Sequence, residues 1–244
     1  MCMNISSKNS LLMLQRKRAN FILLTTLFSL SMIEPYNGTL YDPCCGSGGM
    51  FVQGATLIKS KRGNLNSINI YGQEKEAATY RLAKMNLALR GISHNLGGTN
   101  DSSFTNDLHK DLHFNYIMAN PLFNLKSWYN DNLKSDPLWA DYGTPPENNA
   151  NYAWILHMLS HSKPDGVARF LLANGALNDS DTLSIRQKLI ENDKVEAIVL
   201  PRELFITTDI SVTLWILNQK KGGKYHGRNL RNREHEILFI DLRQ

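Results

Sequence analysis

Leu40-Tyr41-Asp42-Pro43-Cys44-Cys45-Gly46-Ser47-Gly48-Gly49-Met50 is the stretch from which the fold can be read. Its left edge, Thr39 to Asp42, has the apolar character of a short buried strand. Its centre is a loop of small residues. Its right edge starts a helix near Gly49 that carries Met50, Phe51, Ala55, Leu57 and Ile58. Strand, glycine loop and helix in that order put backbone N–H groups beside a ligand at the carboxyl edge of a doubly wound α/β sheet. The spacing discriminates among ligands. A dinucleotide loop requires G-x-G-x-x-G, and Phe51 stands where the third glycine would fall. A P-loop requires a Lys-Ser/Thr pair after its last glycine, and the stretch has none. What remains is Asp-x-x-x-Gly-x-Gly, with the acid ending the strand. Such a loop suits a ligand with a cation, an amino acid part and a ribose but no phosphate, and S-adenosylmethionine (SAM) combines those features. A strand–turn–helix corner without a ligand has the same outline.

The 244 residues match the length of one large α/β domain, or of one and a half ordinary ones. A composition of 42% hydrophobic and 20% charged residues is that of a globular chain. The 27 basic and 22 acidic residues leave a net charge of +5, which is compatible with a polyanionic partner without demanding one. Cys2, Cys44 and Cys45 form neither a disulfide framework nor a zinc spacing, which fits a reducing cytoplasm. Residues 1–35 are the least defined part. Arg16-Lys17-Arg18 precede an apolar run from Phe21 to Ile33, as in a signal peptide, but no small-x-small cleavage site follows. The run is too short to span a bilayer. A core-packing helix is expected there, with no membrane association, and the folded core is expected over 36–244.

Beyond the loop, Ser67 to Gln73 reads as the second strand, ending at Glu74. Glu76 to Arg90 reads as a helix that buries Ala78, Leu82, Met85 and Leu89, a 3.6-residue period, and stops at Gly91. An acid at the end of a second strand is where nucleotide-type ligands have their ribose hydroxyls bound, so Glu74 is a candidate ribose ligand; a solvated loop carboxylate is the alternative. His94 to His113 is polar and loop-like. Its histidines, His94, His109 and His113, lack the H-E-x-x-H arrangement and read as solvated, leaving no metal site. Tyr116 to Ala119 is a third strand, running into Asn120-Pro121-Leu122-Phe123-Asn124. Residues 125–149 hold Trp128, Tyr129, Trp139 and Tyr142 in a long irregular stretch, where aromatics either stack on bases or pack on the domain. A helix over Asn149–Ser162, a Pro164-Asp165-Gly166 turn, a strand over Val167–Ala173 and a helix over Ser180–Asn192 follow. Strands over Lys194–Leu200, Ser211–Asn218 and Ile237–Asp241 complete the pattern, with a loop from Pro201 to Asp209 and a basic turn at Lys220–Lys224.

Asn-Pro-x-aromatic at a strand's carboxyl end has a specific chemical use. An exocyclic ring amine is a poor nucleophile because its lone pair is delocalised. The Asn120 side-chain oxygen and the Pro121 backbone oxygen can accept its hydrogens and aim a more localised lone pair at an electrophilic methyl group. Phe123 can stack on the ring. An adenine in a duplex must be flipped out to reach such a site. The work is positioning and electrostatics.

These segments resemble the catalytic region of the modification (M) subunit of type I restriction–modification systems, a family of SAM-dependent adenine-N6 DNA methyltransferases. The resemblance is carried by Tyr41–Met50, Tyr71-Gly-Gln-Glu74, Arg81–Leu87, Ala119-Asn-Pro-Leu-Phe-Asn124, Asn149-Ala-Asn-Tyr-Ala-Trp154 and Leu172-Ala-Asn-Gly-Ala-Leu177, and spans about Ile33 to Asn218. It implies a doubly wound, mostly parallel seven-stranded Rossmann-like SAM-methyltransferase sheet with one antiparallel strand. It implies SAM held by Asp42, Gly46 and Gly48, with Cys44 and Ser47 in the same loop, Glu74 at the ribose and Asp101 facing the cofactor's adenine. The target adenine falls to Asn120, Pro121 and Phe123. The implied partners are DNA and the specificity (S) and restriction (R) subunits.

The chain departs from that family in three respects. The second proline of Asn-Pro-Pro-Phe is Leu122, and losing a fixed φ loosens the amine acceptors. Asn20 to Pro35 lack the Phe-x-Thr-Pro segment that closes the SAM pocket. The family's helical N- and C-terminal domains are expected to be absent. A truncated, inactive M-subunit core is therefore one alternative; a methyltransferase for another amine or amide, such as an RNA base or a protein glutamine, is another. Pro43-Cys44 also resembles the nucleophile of cytosine carbon-5 methyltransferases, but no local basic partner would lower its pKa, and loop packing is the expected role.

Overall fold

The computed structural model describes residues 37–61, 63–201, 211–225 and 228–243. The apolar run Phe21–Ile33 and most of the loop from Pro201 to Asp209 lie outside them. Eight strands form one sheet: β1 (Gly38–Asp42), β2 (Ile68–Gly72), β3 (His94–Asn95), β4 (Phe114–Ala119), β5 (Ser162–Ala173), β6 (Val195–Leu200), β7 (Val212–Asn218) and β10 (Leu238–Asp241). Their spatial order is β3-β2-β1-β4-β5-β7-β6-β10. Every pairing is parallel except those of β7, which runs antiparallel to both β5 and β6. β8 (Gly223–Tyr225) and β9 (Arg228–Leu230) pair antiparallel in a separate two-stranded sheet. The expected mostly parallel sheet with one reversed strand is present. It has eight strands rather than seven: the two-residue β3, paired with β2, joins those expected, while β10 pairs with the outer edge of β6.

The helices lie on both faces. α1 (Gly49–Ser60) and α2 (Ala77–Ala88) bury Phe51, Ala55, Ile58, Tyr80, Ala83 and Leu87 against Leu40, Ile70, Tyr116 and Met118. On the opposite face, α3 (Asn151–Ser160) and α4 (Leu183–Glu191) close over Ile117, Phe170 and Trp215. The neighbours Leu40 and Tyr41 serve opposite cores, as strand alternation demands. Each Leu, Ile or Phe fully buried this way stabilises by about 1.5–3 kcal/mol. α3 is buried all round because the irregular segment before it folds over its outer side with Trp128, Leu133 and Trp139. Those tryptophans pack on the domain rather than standing free.

Two helix readings change. α2 ends where expected, with Gly91 in the left-handed region at φ +63° and its N–H on Ala88 O. Its buried face, however, is Tyr80, Ala83 and Leu87, while Leu82, Met85 and Leu89 are 47, 55 and 77% exposed. At 100° per residue the two stripes lie on opposite sides of the helix. The small Ala83 and the aromatic Tyr80, whose hydroxyl donates to Gly97 O at 2.8 Å, fit the sheet more closely than the leucine stripe. The Ser180–Asn192 helix is a short 3-10 turn, Ser180–Thr182, followed by α4. The Pro164-Asp165-Gly166 turn sits inside β5, as a register shift against β4 between Phe114 and Tyr116. His109 is buried rather than solvated, its Nε2 2.9 Å from Gly72 O, and burial holds its pKa below the ordinary value.

Candidate active site

Chain order reverses beside β1: the chain steps outward to β2 and β3, then returns to β4 on the other side of β1. Crevices at such switch points, beyond the carboxyl ends of the strands, are where open α/β sheets bind ligands. The loop after β1, Glu74 after β2 and Asn120 after β4 all emerge there.

The loop geometry explains its small residues. Gly46 and Gly48 have φ of +56° and +75°, and Gly48 is the left-handed N-cap of α1. A left-handed residue with a Cβ costs roughly 1–2 kcal/mol. Two backbone bonds join the loop to the end of β2: Gln73 N–H donates to Asp42 O at 3.0 Å and Cys45 N–H to Gln73 O at 2.9 Å. Ser47 faces α2, its carbonyl accepting from Asn86 Nδ2 at 2.8 Å.

Both predicted acids act on the backbone. Asp42 Oδ1 accepts the Cys44 N–H at 3.0 Å, whereas its buried Oδ2 has no partner. Burial pushes the Asp42 carboxyl up to about 7; the hydrogen bonds from Cys44 oppose this shift, and the Glu74 charge adds to it. Glu74 accepts the Gly46 N–H through Oε2 at 3.0 Å and the Glu76 N–H through Oε1 at 2.8 Å. It therefore holds the glycine loop as well as standing at the strand end. Burial pushes the Cys44 and Cys45 thiols above their ordinary range, so neither is a ready thiolate, in line with loop packing.

A cavity of about 380 Å³ opens over this loop, lined by Cys44, Gly46, Glu74, Asp101, Phe104, Asn120, Leu122, Trp128 and Trp154 among others. It unites Cys44, Gly46, Glu74, Asp101 and Asn120 of the predicted set. Asp42, Ser47 and Gly48 lie behind the loop. Pro121 is buried, and Phe123 packs half-buried against the apolar side of β5, β6 and β7, away from the cavity wall. Leu122, 72% exposed, stands at the cavity instead. A larger cleft of about 920 Å³, lined by Pro137, Tyr142 and Lys163, touches none of the predicted residues.

Several supporting residues have no individual role assigned from the sequence. Gln73, buried at the end of β2, donates from Nε2 to Asp101 O and Asn106 O at 3.2 and 2.8 Å and accepts the Leu108 N–H at 3.1 Å, fixing the segment that carries Asp101. Ser103 Oγ donates to Pro43 O at 2.5 Å. Asp107 lies 2.9 Å from His161 Nε2; burial works against its charge, yet this contact holds its pKa below the ordinary value. His157, on the same helix end, lies 3.2 Å from the Tyr41 hydroxyl, and burial depresses its pKa to about 3. The Asn-Pro turn is clamped to the start of α3. Asn124 N–H donates to Asn151 Oδ1 at 3.0 Å, and Asn151 Nδ2 donates to Asn124 Oδ1 at 2.8 Å. Asn124 takes a positive φ of 53° to do so. The pairing gives the Asn149-Ala-Asn segment a physical role.

The cavity suits a cationic nucleoside. Glu74, Glu76 and Asp101 line it with Lys75 as the sole cation among its lining residues, and Asp42 adds an unpartnered oxygen behind. Phosphates are disfavoured by that charge, and the aromatic wall of Phe104, Trp128 and Trp154 offers ring faces to a base.

A doubly wound sheet with a reversed β7, a left-handed glycine loop and an acid closing β2 defines the class of SAM-dependent methyltransferase folds. The chain belongs to the N-6 DNA Methylase family, which matches residues 24–244. It is 46% identical over 218 residues to the type I restriction enzyme HindI methylase subunit of Haemophilus influenzae, covering 88% of this chain and 47% of that protein. It is 37% identical over 225 residues to the MjaIX methylase subunit of Methanocaldococcus jannaschii, covering 89% and 38%. The chain thus spans about half or less of the curated relatives it matches. Among solved structures, the type I restriction–modification methyltransferase subunit from Streptococcus thermophilus superposes with a TM-score of 0.71 at 25% identity, over 91% of this chain and 46% of that one. A Listeria monocytogenes protein described as a class I SAM-dependent methyltransferase shares the fold at 15% identity, with a TM-score of 0.72 over 92% of this chain and 65% of that one. Among the described residues, no helix is long and apolar enough to cross a membrane.

Proposed function

We propose that this chain carries the catalytic core of a type I modification subunit, methylating the N6 amine of a flipped adenine in DNA, with SAM as methyl donor and with specificity and restriction subunits as partners. The observation that carries the reading is the single cavity bordered by Gly46, Glu74 and Asp101 on one side and Asn120 on the other. Glu74 would accept the ribose hydroxyls while holding the Gly46 N–H. Asp42 would balance the positive charge of the methionine part. Asp101, with the Phe104 ring beside it, would receive the cofactor's adenine. SAM supplies an electrophilic methyl group. Asn120 Oδ1 and the Pro121 carbonyl would accept the two hydrogens of the target amine, orienting its lone pair. Phe123 would need to leave its packing on the β5–β7 face to stack on the base, so the turn is expected to move when DNA binds.

Transfer of labelled methyl from SAM to duplex DNA tests this, with the specificity subunit supplied and N6-methyladenine identified as product. Asn120→Ala is expected to lower the rate by at least ~100-fold, the scale for losing one preorganised polar group, with SAM affinity unchanged. An equally active Asn120→Ala variant refutes the assignment. Leu122 supports a second reading. A flexible, exposed residue stands where the family has a rigid proline, which favours a core that binds SAM without transferring methyl groups. SAM binding without methylation in the complete complex would select that reading.

A further inference from the structure

The carboxyl end of α3 carries a polar cluster to which methyl transfer gives no task. His157 and His161 stand four residues apart, so their rings share one side of the helix and stack at 4.3 Å. Both are buried, and Asp107 reaches them from the segment between β3 and β4. One ring nitrogen of each histidine and one Asp107 oxygen all lie within 4.8 Å of one another. The hydrogen bonds leave one of these nitrogens over. His161 Nδ1 lies 2.9 Å from the His157 carbonyl, which can only accept, so Nδ1 carries the proton and the neutral ring keeps its lone pair on Nε2. Ser160 Oγ, 3.1 Å from the same Nδ1, already donates to that carbonyl. The Nε2 lone pair therefore meets Asp107 Oδ2, a second lone-pair atom, at 2.9 Å. Two acceptors that close repel unless a cation joins them. A proton is the smallest such cation, but the carboxylate lies off the direction in which an Nε2–H would point, and the buried Nε2 has no hydrogen-bond partner. An ion bonded to both atoms sits to one side of the line between them, which suits that offset.

We propose that Asp107, His157 and His161 form a binding site for a divalent first-row transition ion, Zn2+ by preference, which ties the segment after β3 to the end of α3. Two imidazoles and a carboxylate suit such an ion, with ligand bonds of about 2.0–2.2 Å, whereas Mg2+ and Ca2+ take oxygen ligands. The neighbours already hold the three side chains as ligands are held. His161 Nδ1–H donates to a carbonyl, His157 Nε2 lies 3.2 Å from the Tyr41 hydroxyl, and Asp107 Oδ1 accepts the His109 N–H at 2.8 Å. Such partners fix the rings and carboxylates that bind metals. A cleft of about 750 Å³ opens over the three residues, with Asp111 and Asp136 on its walls against Lys110. It admits an ion and leaves room for water at the remaining positions. None of the three residues lines the cavity over the glycine loop, so the inference is independent of the SAM reading.

The test uses the full chain, stripped with a chelator, and Co2+ as a spectroscopic stand-in for Zn2+. One Co2+ per chain is expected, with the intense visible bands of a four- or five-coordinate ion, displaced by Zn2+ but not by excess Mg2+. Zn2+ at about a hundredfold above its dissociation constant should raise the melting temperature by roughly 5–10 °C. Asp107→Asn and His161→Gln, which change side-chain size little, should each weaken binding by at least ~10-fold and remove most of that rise. His94→Gln, on β3, should bind as the parent does. Imidazole 15N shifts of the parent report the ligands without any substitution, so a variant that fails to fold leaves the test intact: the rings that respond to Zn2+ should be His157 and His161. Absence of Co2+ bands, or a melting temperature that Zn2+ does not move, overturns the proposal. So does a response confined to other histidines, or binding that survives both substitutions, either of which marks an adventitious ion only. Displacement by Mg2+ would overturn it in favour of an oxygen-ligand site.

Discussion

Glu74→Gln isolates the residue on which the proposed cofactor side of the cavity depends. The carboxylate accepts two backbone N–H groups, from Gly46 at 3.0 Å and Glu76 at 2.8 Å, one on each oxygen. Glutamine has nearly the same shape but one acceptor oxygen. Whichever way it lies, one N–H keeps a weaker, uncharged acceptor and the other faces an NH2 donor. A hydrogen bond to a charged group contributes about 1.5–3 kcal/mol, and the ribose hydroxyls would lose the same charged acceptor. At 1.4 kcal/mol per tenfold, SAM affinity should fall ~10- to 150-fold. Glu74 is half-buried and water can reach part of the site, so the melting temperature should fall by only a few degrees. Trp128 and Trp154 border the cavity, so quenching of their fluorescence reports SAM directly. A Glu74→Gln affinity within about threefold of the parent would show that Glu74 organises the loop without touching the ligand, and would refute the reasoning.

Other perturbations have equally definite outcomes. Gly48→Ala forces a Cβ into a left-handed N-cap whose nearest neighbour is Leu87, 3.4 Å away; it should cost about 1–2 kcal/mol by urea denaturation and shift the loop enough to weaken SAM. Unchanged stability would contradict the strain argument. Leu122→Pro should raise the methylation rate in the assembled complex with SAM affinity unchanged, whereas an unaltered rate would show that the leucine is tolerated. SAM affinity should rise about tenfold between pH 6 and pH 8 as Asp42 ionises around 7, and Asp42→Asn should flatten the profile; a parental profile that is already flat rules this out. Asp42 and His157 should also have opposite effects on stability. Asp42 keeps a proton in the folded chain from its ordinary 3.8 up to about 7, so its contribution falls as pH rises through that window. His157, ordinarily 6.5 and depressed to about 3, refuses a proton that the unfolded chain takes, so its contribution falls as pH falls through its own window. The two nearly cancel between pH 4 and 6. Asp42→Asn should expose a loss of up to about 1.4 kcal/mol per pH unit on acidification, measurable by urea melts, and a slope like the parent's would refute the pairing.

The sheet was legible because most of its strands contain a short apolar run bounded by turn residues, and because Asp-x-x-x-Gly-x-Gly fits a strand–loop–helix corner. The antiparallel position of β7 came from the family resemblance, since nothing in Val212–Asn218 marks direction. The buried face of α2 was misread because both of its stripes are apolar, and periodicity alone cannot say which one meets the sheet. β3 was missed because two residues are too few to show alternation. The supporting network was hidden for a different reason. Gln73, His157 and His161 are buried polar residues and Asp107 is half-buried beside them, and the contacts that draw them in reach residues distant in sequence, which a single sequence does not show. Phe123 was legible as an aromatic at the right spacing, but its direction depends on the clamped turn between Asn124 and Asn151, a tertiary contact.

The cavity above the Gly46–Gly48 loop is the proposed SAM site. Calorimetric titration of SAM into the folded full chain, without DNA or partner subunits, tests it most directly. One site per chain is expected, with a dissociation constant in the micromolar range, about −8 kcal/mol. No heat at high micromolar SAM, from a chain whose melting transition shows it to be folded, would contradict it.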